Sequence, residues 1–211
     1  MPESLKMIIV LTVIAGSAGL ALSAMNKQTE PMIKENVRLF TLSSINKVLP
    51  DTDKPDPCKK FKPIFDNAPD ADVVCVDGFK IYRGRKGEEI IGLAIESIGD
   101  KSYDGTILTL LGFDNNDTLT GIEVLKHKET PGLGSLIENC EWQSQMVGNN
   151  PTSINWTVTK DGGDVDQLSG ATISSRSMLD SIHKAHKLLS TKRQEILNAT
   201  PMAEGEVCNG K

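Results

Sequence analysis

At 211 residues with a formal net charge of −5, the chain has room for one ordinary domain plus accessory segments and presents no field that would draw in a polyanion. Its basic residues are scattered among acids without interleaved aromatics, which argues against nucleic-acid binding. Aromatic residues make up only 4%, so a bound ring system would rest mainly on backbone, aliphatic and polar groups. The cysteines Cys58, Cys75, Cys140 and Cys208 stand too far apart for a Cys-x-x-Cys pair, which argues against a metal cluster; a disulfide such as Cys58 with Cys75 and buried free thiols are both open.

Taken in order, the uncharged run Met7–Met25 is close to the roughly 20 residues that a membrane-crossing helix needs. Residues 1–27 are read as a retained anchor rather than a cleaved signal. Ala21-Leu22-Ser23 has a small-x-small form, but Glu3 offsets Lys6 in the short positive region that a signal requires. Ala15, Gly19 and Ser23 put a stripe of small residues on this helix, where another helix could pack. Charge leaves the orientation undetermined, with Lys6 on one side and Lys27, Lys34 and Arg38 mixed with Glu30 and Glu35 on the other.

Residues 28–70 read as a connector. Ile33, Val37, Phe40, Ile45 and Val48 follow helical spacing from Pro31 to Val48, with Thr29 placed to cap, and the apolar face is expected to rest on the globular part or on a membrane partner. Pro50, Pro55, Pro57, Pro63 and Pro69 then rule out regular helix. Residues 71–198 form the expected domain. Strand signals at 72–76, 79–82, 89–96, 106–113 and 119–125 are separated by turns too short for crossover helices, such as Asp77-Gly78, Arg83-Gly84 and Asn115-Asn116. The fold class is therefore α+β, a mainly antiparallel sheet with flanking helices, behind one N-terminal transmembrane helix. A short helix is expected over 135–146, a strand over 155–159, and a long helix from Ile173 to about Leu197. The tail, 199–211, has no pattern and reads as mobile.

The most informative stretch is Asp166-Gln167-Leu168-Ser169-Gly170-Ala171-Thr172-Ile173-Ser174-Ser175. Small residues before Thr172 allow close backbone approach, and the helix start that follows offers unpaired amides, the positive end of the dipole, and the hydroxyls of Ser169, Thr172, Ser174 and Ser175. This suits a phosphate. Ordinary helix capping by Ser and Thr is the alternative. Two further stretches, Ser102-Tyr103-Asp104-Gly105 and Lys126-His127-Lys128-Glu129-Thr130-Pro131-Gly132-Leu133-Gly134, read on their own as turns. His183 and His186 lie at i,i+3 with no third ligand nearby and read as ordinary histidines, as does His127.

The three stretches, in this order, resemble the signatures of the FMN-binding domains found in the Rnf and sodium-translocating NADH:quinone reductase complexes, and the His-Lys-Glu-Thr-Pro-Gly-Leu-Gly form is closer to the Rnf members. Asp104 departs from the small residue usual in that family. The resemblance implies that Thr172 carries FMN through a phosphoester made by a separate flavin transferase with FAD as donor, Asp166 serving in recognition by that transferase. It further implies flavin contacts at Ser169, Gly170, Ala171, Ser174, Ser175, Glu129, Thr130, Leu133, Gly134, Tyr103 and Gly105, and a domain on the outer face of the cytoplasmic membrane. The expected role is electron relay within an ion-translocating ferredoxin:NAD oxidoreductase, as a subunit that is not catalytic on its own. The quinone-reductase counterpart and a membrane-anchored assembly subunit without redox role are the alternatives. With no Gly-x-Gly-x-x-Gly fingerprint and no cluster ligation, NAD and ferredoxin are left to other subunits.

Overall fold

Apolar runs rich in Val, Ile and Leu from Asp72 onward build a five-stranded antiparallel meander in the order of the sequence: β1 (Asp72–Val76), β2 (Phe79–Lys86), β3 (Glu89–Ser102), β4 (Gly105–Phe113) and β5 (Leu119–Lys126). The computed structural model describes residues 2–49, 72–86, 89–103, 105–150, 152–203, 206 and 208. The chain divides into a first unit, residues 1–41, and a second, residues 42–211. Helix α1 (Glu3–Val48) supplies the whole described part of the first unit beyond Pro2. Its Glu3–Ile45 portion is long and apolar enough to cross a membrane, with a mean hydropathy of 2.2 in its most apolar window. The expected break at the connector is absent: α1 runs through Pro31, and the Thr29 hydroxyl donates back to the Met25 carbonyl at 3.0 Å instead of capping. Pro31 removes the bond that the Lys27 carbonyl would have accepted and crowds that carbonyl with its ring, without ending the helix. Ile33, Val37 and Phe40, in the first unit, are exposed; Ile45, Val48 and Leu49, in the second, are buried. The proline-rich segment falls outside the described residues.

Both faces of the sheet are covered. On one, Ile45, Val48 and Leu49 pack with Tyr82, Ala94 and Leu110. Side chains at Gly112 or Gly121 would overlap the Val48 backbone, and one at Gly84 would meet Leu49, so these strand glycines form a trough in which the Thr120 hydroxyl reaches the Val48 carbonyl at 2.6 Å. Arg83-Gly84, read as a turn, instead continues β2. On the other face lies α3 (Thr172–Asn198), whose Met178, Ile182, Ala185 and Leu189 join Ile81, Leu93, Ile95, Ile107, Leu111 and Phe113 in the main core. Close approach is set by small residues. Ser177 rides over Gly99, where a methyl would overlap its carbonyl, and the Ser97 hydroxyl donates to the Ser181 carbonyl at 2.7 Å. His186 is buried between Phe113 and Trp156 with neither ring nitrogen hydrogen-bonded, and burial, with the His183 charge, pushes its pKa down to about 4.

Three further expectations are corrected. The helix over 135–146 is two pieces, a 3₁₀ turn (Gly134–Glu138) and the short α2 (Cys140–Gln143), because extended Asn139 interrupts it and caps α2 by accepting from the Glu141 amide at 2.7 Å. The strand over 155–159 shrinks to one parallel bridge, Val158 with Val165, leading into a 3₁₀ turn (Thr159–Asp161). Asn155 spends its amide on the Asp164 carboxylate and its side chain on Thr157. The tail is anchored: the Met202 amide donates to the Val73 carbonyl at 2.7 Å, and Cys75 is disulfide-bonded to Cys208, not to Cys58. Cys140 is disulfide-bonded too, so a free thiol is not its state.

Candidate functional site

Helix α3 begins without a side-chain cap. Its N-cap is Ala171, and Thr172, half-buried, is its first residue. The amides of Thr172, Ile173 and Ser174 find no hydrogen-bond acceptor among the described residues, which leaves three donors converging at the positive end of a 27-residue helix. Capping by Ser or Thr is therefore not what this sequence does here. The Ser175 hydroxyl donates to the Ala171 carbonyl at 3.0 Å and accepts from the Leu168 amide at 3.0 Å, and the buried Ser174 hydroxyl donates to Glu129 Oε2 at 2.6 Å. Both are occupied, so the hydroxyls left to face a ligand are those of Thr172 and the exposed Ser169. Gly170, at φ 76°, makes the left-handed turn that aims the chain into the helix.

The loop before Thr172 is held by residues that no motif pointed to. The Trp142 indole donates to the Asp166 carbonyl at 2.7 Å, and the Asp166 amide donates to Gln145 Oε1 at 2.8 Å. A tryptophan in a short helix just after a glycine-rich loop was the only sequence signal for this support. The Asp166 side chain itself is exposed. One turn into α3, Arg176 is tied to Asp161 by two bonds of 2.6 and 2.7 Å, and its guanidinium holds that carboxyl below its usual range.

The second stretch lies against the first. Beside its bond to Ser174, Glu129 is buried, and a side chain at Gly134 would overlap both the Glu129 carboxylate and the Ser174 hydroxyl, so that glycine is what lets the loop lie against α3. Glu129 has no cationic partner among the described residues, an unusual state for a buried carboxylate. Leu133 sits next to Gly170, and Thr130 is exposed, its carbonyl accepting from Leu133 and Ser135 in a local turn. Leu133, Leu136 and Ile173 are 42%, 39% and 42% exposed, an apolar rim beside Thr172. Among the described residues, no hydrogen bond joins the third stretch to the other two. Tyr103 is 77% exposed and Gly105, at φ 122°, turns the β3–β4 hairpin, whose strands run along α3 toward its N-terminal end; Asp104 is outside the described residues.

Three free amides and a hydroxyl beside an apolar rim fit a phosphate monoester carrying a flat, largely apolar ring. The residues present thus suit FMN on their own chemistry. Residues 102–187 match the FMN-binding domain family. The G subunit of the ion-translocating oxidoreductase complex of Vibrio parahaemolyticus is 33% identical over 81% of this chain and 82% of its own length, and that of Shewanella amazonensis 30% identical over 84% of both. The crystal structure of Shewanella oneidensis NqrC superposes at a TM-score of 0.44 with 17% identity, covering 57% of this chain and 61% of its own. This chain belongs to the family of G subunits of the ion-translocating oxidoreductase complexes.

Proposed function

We propose that this subunit relays electrons through an FMN held covalently on Thr172, in a domain displayed on the outer face of the cytoplasmic membrane. The observation that carries the assignment is the uncapped start of α3, where Thr172 is the first residue and its neighbouring amides are free. Attachment is transfer by a separate enzyme with FAD as donor: a bond forms between Thr172 Oγ and the FMN-side phosphorus, the bond to the AMP phosphate breaks, AMP leaves, and the hydroxyl proton passes to solvent. The bound flavin would supply one- and two-electron chemistry. The chain's own residues then position and tune. The amides of 172–174 would hold the phosphate, Leu133 and Ile173 would offer apolar surface to the ring, and Gly132 and Gly134 would let the loop come close. The Glu129 carboxylate favours the oxidised state over anionic reduced ones. Asp166, exposed on a rigidly held backbone, is accessible to the transferase. The domain limits of 1–27 for the anchor, 28–70 for the connector, 71–198 for the flavin domain and 199–211 for the tail belong to this reading. The disulfide of Cys75 with Cys208 supports the outward orientation, since such bonds persist in oxidising compartments.

Thr172→Ala tests the assignment. The variant is expected to lose the mass of FMN and the fluorescent band on a denaturing gel while still folding, and Thr172→Ser to retain part of both. A fluorescent band equal to the wild type's in Thr172→Ala overturns it. Alkaline carbonate should leave the chain in the membrane, and protease added to intact spheroplasts should remove the part after Lys27. Protection there, with digestion in inverted vesicles, reverses the orientation.

A further inference from the structure

His127 stands at the end of β5, one residue before the loop that lies against α3. Its Nδ1 accepts the Glu129 backbone amide at 3.0 Å, and its Nε2 lies 3.0 Å from Glu138 Oε1. A ring nitrogen that accepts an amide carries a lone pair, so in the neutral ring the proton is on Nε2, where it is given to Glu138. From Glu129 the chain of bonds continues through Oε2 to the Ser174 hydroxyl at 2.6 Å. Glu138 of the 3₁₀ turn, His127 just after β5, the Glu129 loop and the first turn of α3 are thereby linked in one line. The carboxylate at its centre is 7% exposed and has no cation among the described residues to hold it. The Ser174 hydroxyl holds the carboxylate from one side, and His127 holds the backbone of the same residue from the other.

We propose that His127 is a positioning residue for the Glu129–Gly134 loop: its neutral ring, with the tautomer set by Glu138, fixes the Glu129 backbone and so keeps the carboxylate on Ser174 beside Thr172. A second proton on the ring converts Nδ1 to a donor facing the Glu129 N–H, two donors that cannot bond each other, and the loop is released. The charged group bonded to the ring is Glu138 from the 3₁₀ turn; Glu129 meets the ring through its backbone amide while its carboxylate is on Ser174, and Lys126 and Lys128 flank the ring in sequence. The device is a property of the chain, and only its consequence for the flavin rests on the assignment of Thr172.

Nitrogen-15 NMR of the full chain in micelles tests the device directly. The His127 ring should show the pattern of an Nε2-protonated tautomer, and the Glu129 amide proton should move upfield as acid titrates that ring. In His127→Asn, whose side-chain oxygen can take the place of Nδ1 but does not titrate, the Glu129 amide should keep its shift at all pH values. His127→Ala should lose it, and Glu138→Ala should mix the tautomers while leaving the loop sequence intact. A proton on Nδ1 in the neutral wild type, or a Glu129 amide indifferent to the His127 titration, overturns the proposal. On flavin-loaded protein the visible circular dichroism should change with the same titration in the wild type and stay flat in His127→Asn; a flat wild-type signal removes the link to the flavin. If no covalent flavin is found in the wild type, the Thr172 assignment fails, and the NMR result still decides the His127 device.

Discussion

The two ends of α3 are built on opposite plans. At the C-terminal end, Arg83, buried on β2, donates to the Leu197 carbonyl at 2.8 Å and to that of Ile196 at 3.3 Å, and is itself held by Asp72 at 2.6 Å. The cation meets the negative end of the dipole and supplies partners to carbonyls that a helix end leaves bare. At the N-terminal end no side chain caps the helix, the nearby serine hydroxyls are turned to other tasks, and the loop is fixed through its backbone by Trp142 and Gln145. Stability is concentrated at one end, and the other keeps its donors for a ligand.

Breaking the stable end should have the largest effect. Arg83→Ala is expected to cost about 3 kcal/mol, because it removes the buried partner of half-buried Asp72, leaves that carboxylate to Arg85 alone and uncaps the helix. Calorimetric unfolding should show the loss, while Thr172 is still flavinylated in the protein that folds. Burial raises the Asp72 pKa but bonds from Arg83 and Arg85 outweigh it, so the net value lies below 3.8. Stability from Asp72 is thus complete above the ordinary carboxylate range and lost as pH falls through the lowered value, and this acid-side loss should shrink in the variant. Next comes Cys208→Ser, expected to cost about 2–4 kcal/mol by freeing the tail from β1. A wild-type protein no more stable than this variant in the absence of reductant would show the bond to be unimportant.

Gly99→Ala probes the N-terminal half. A methyl against the Ser177 carbonyl should push α3 from β3 at about 1–3 kcal/mol and, unlike Arg83→Ala, disturb flavin attachment at comparable residual stability. In the middle of the helix, His186 has a folded pKa of about 4 against an ordinary 6.5. Its depressed value means stability is complete above pH 6.5 and drains away as pH falls toward 4, and His186→Phe, which keeps a ring between Phe113 and Trp156, should flatten that slope. The smallest change should be that of Thr172→Ala, within about 0.5 kcal/mol of wild type although attachment is lost. A large destabilisation there would mean that the hydroxyl serves the fold and would erase the contrast between the ends.

The five strands were legible because short runs rich in Val, Ile and Leu stand between turn residues, and α3 because Met178, Ile182, Ala185 and Leu189 keep a helical period over many turns. Where side chains compete with the backbone for hydrogen bonds the pattern misleads, as at Asn155 and Asn139. Gly84 reads as part of a turn, and the glycines at 92, 112 and 121 fall within strand signals, whereas what packs on all four is residues 47–49, a contact that only the folded chain supplies. Of the candidate site the motifs gave the two stretches that lie together, with Glu129 and Gly134 at Ser174 and Leu133 at Gly170. Its supports, Trp142, Gln145 and the His127–Glu138 pair, act through backbone atoms, and a spacing pattern of side chains carries no mark of such roles. Cysteine spacing, likewise, held no information on pairing.

That pairing constrains the order of biogenesis. Cys75 and Cys208 lie 133 residues apart, and Cys208 is the last of the sequence's four cysteines. On the outward orientation proposed above, a chain delivered across the membrane from its N-terminus presents Cys75 to Cys58, and then to Cys140, before its native partner has emerged. Each earlier encounter in an oxidising compartment offers a wrong bond, and correcting one requires attack by a free thiolate on the mispaired sulfur. Any wrong bond formed during export in that direction has to be resolved by thiol exchange, and the sheet's first strand receives its covalent closure only after the helix that bears Thr172 has already passed through.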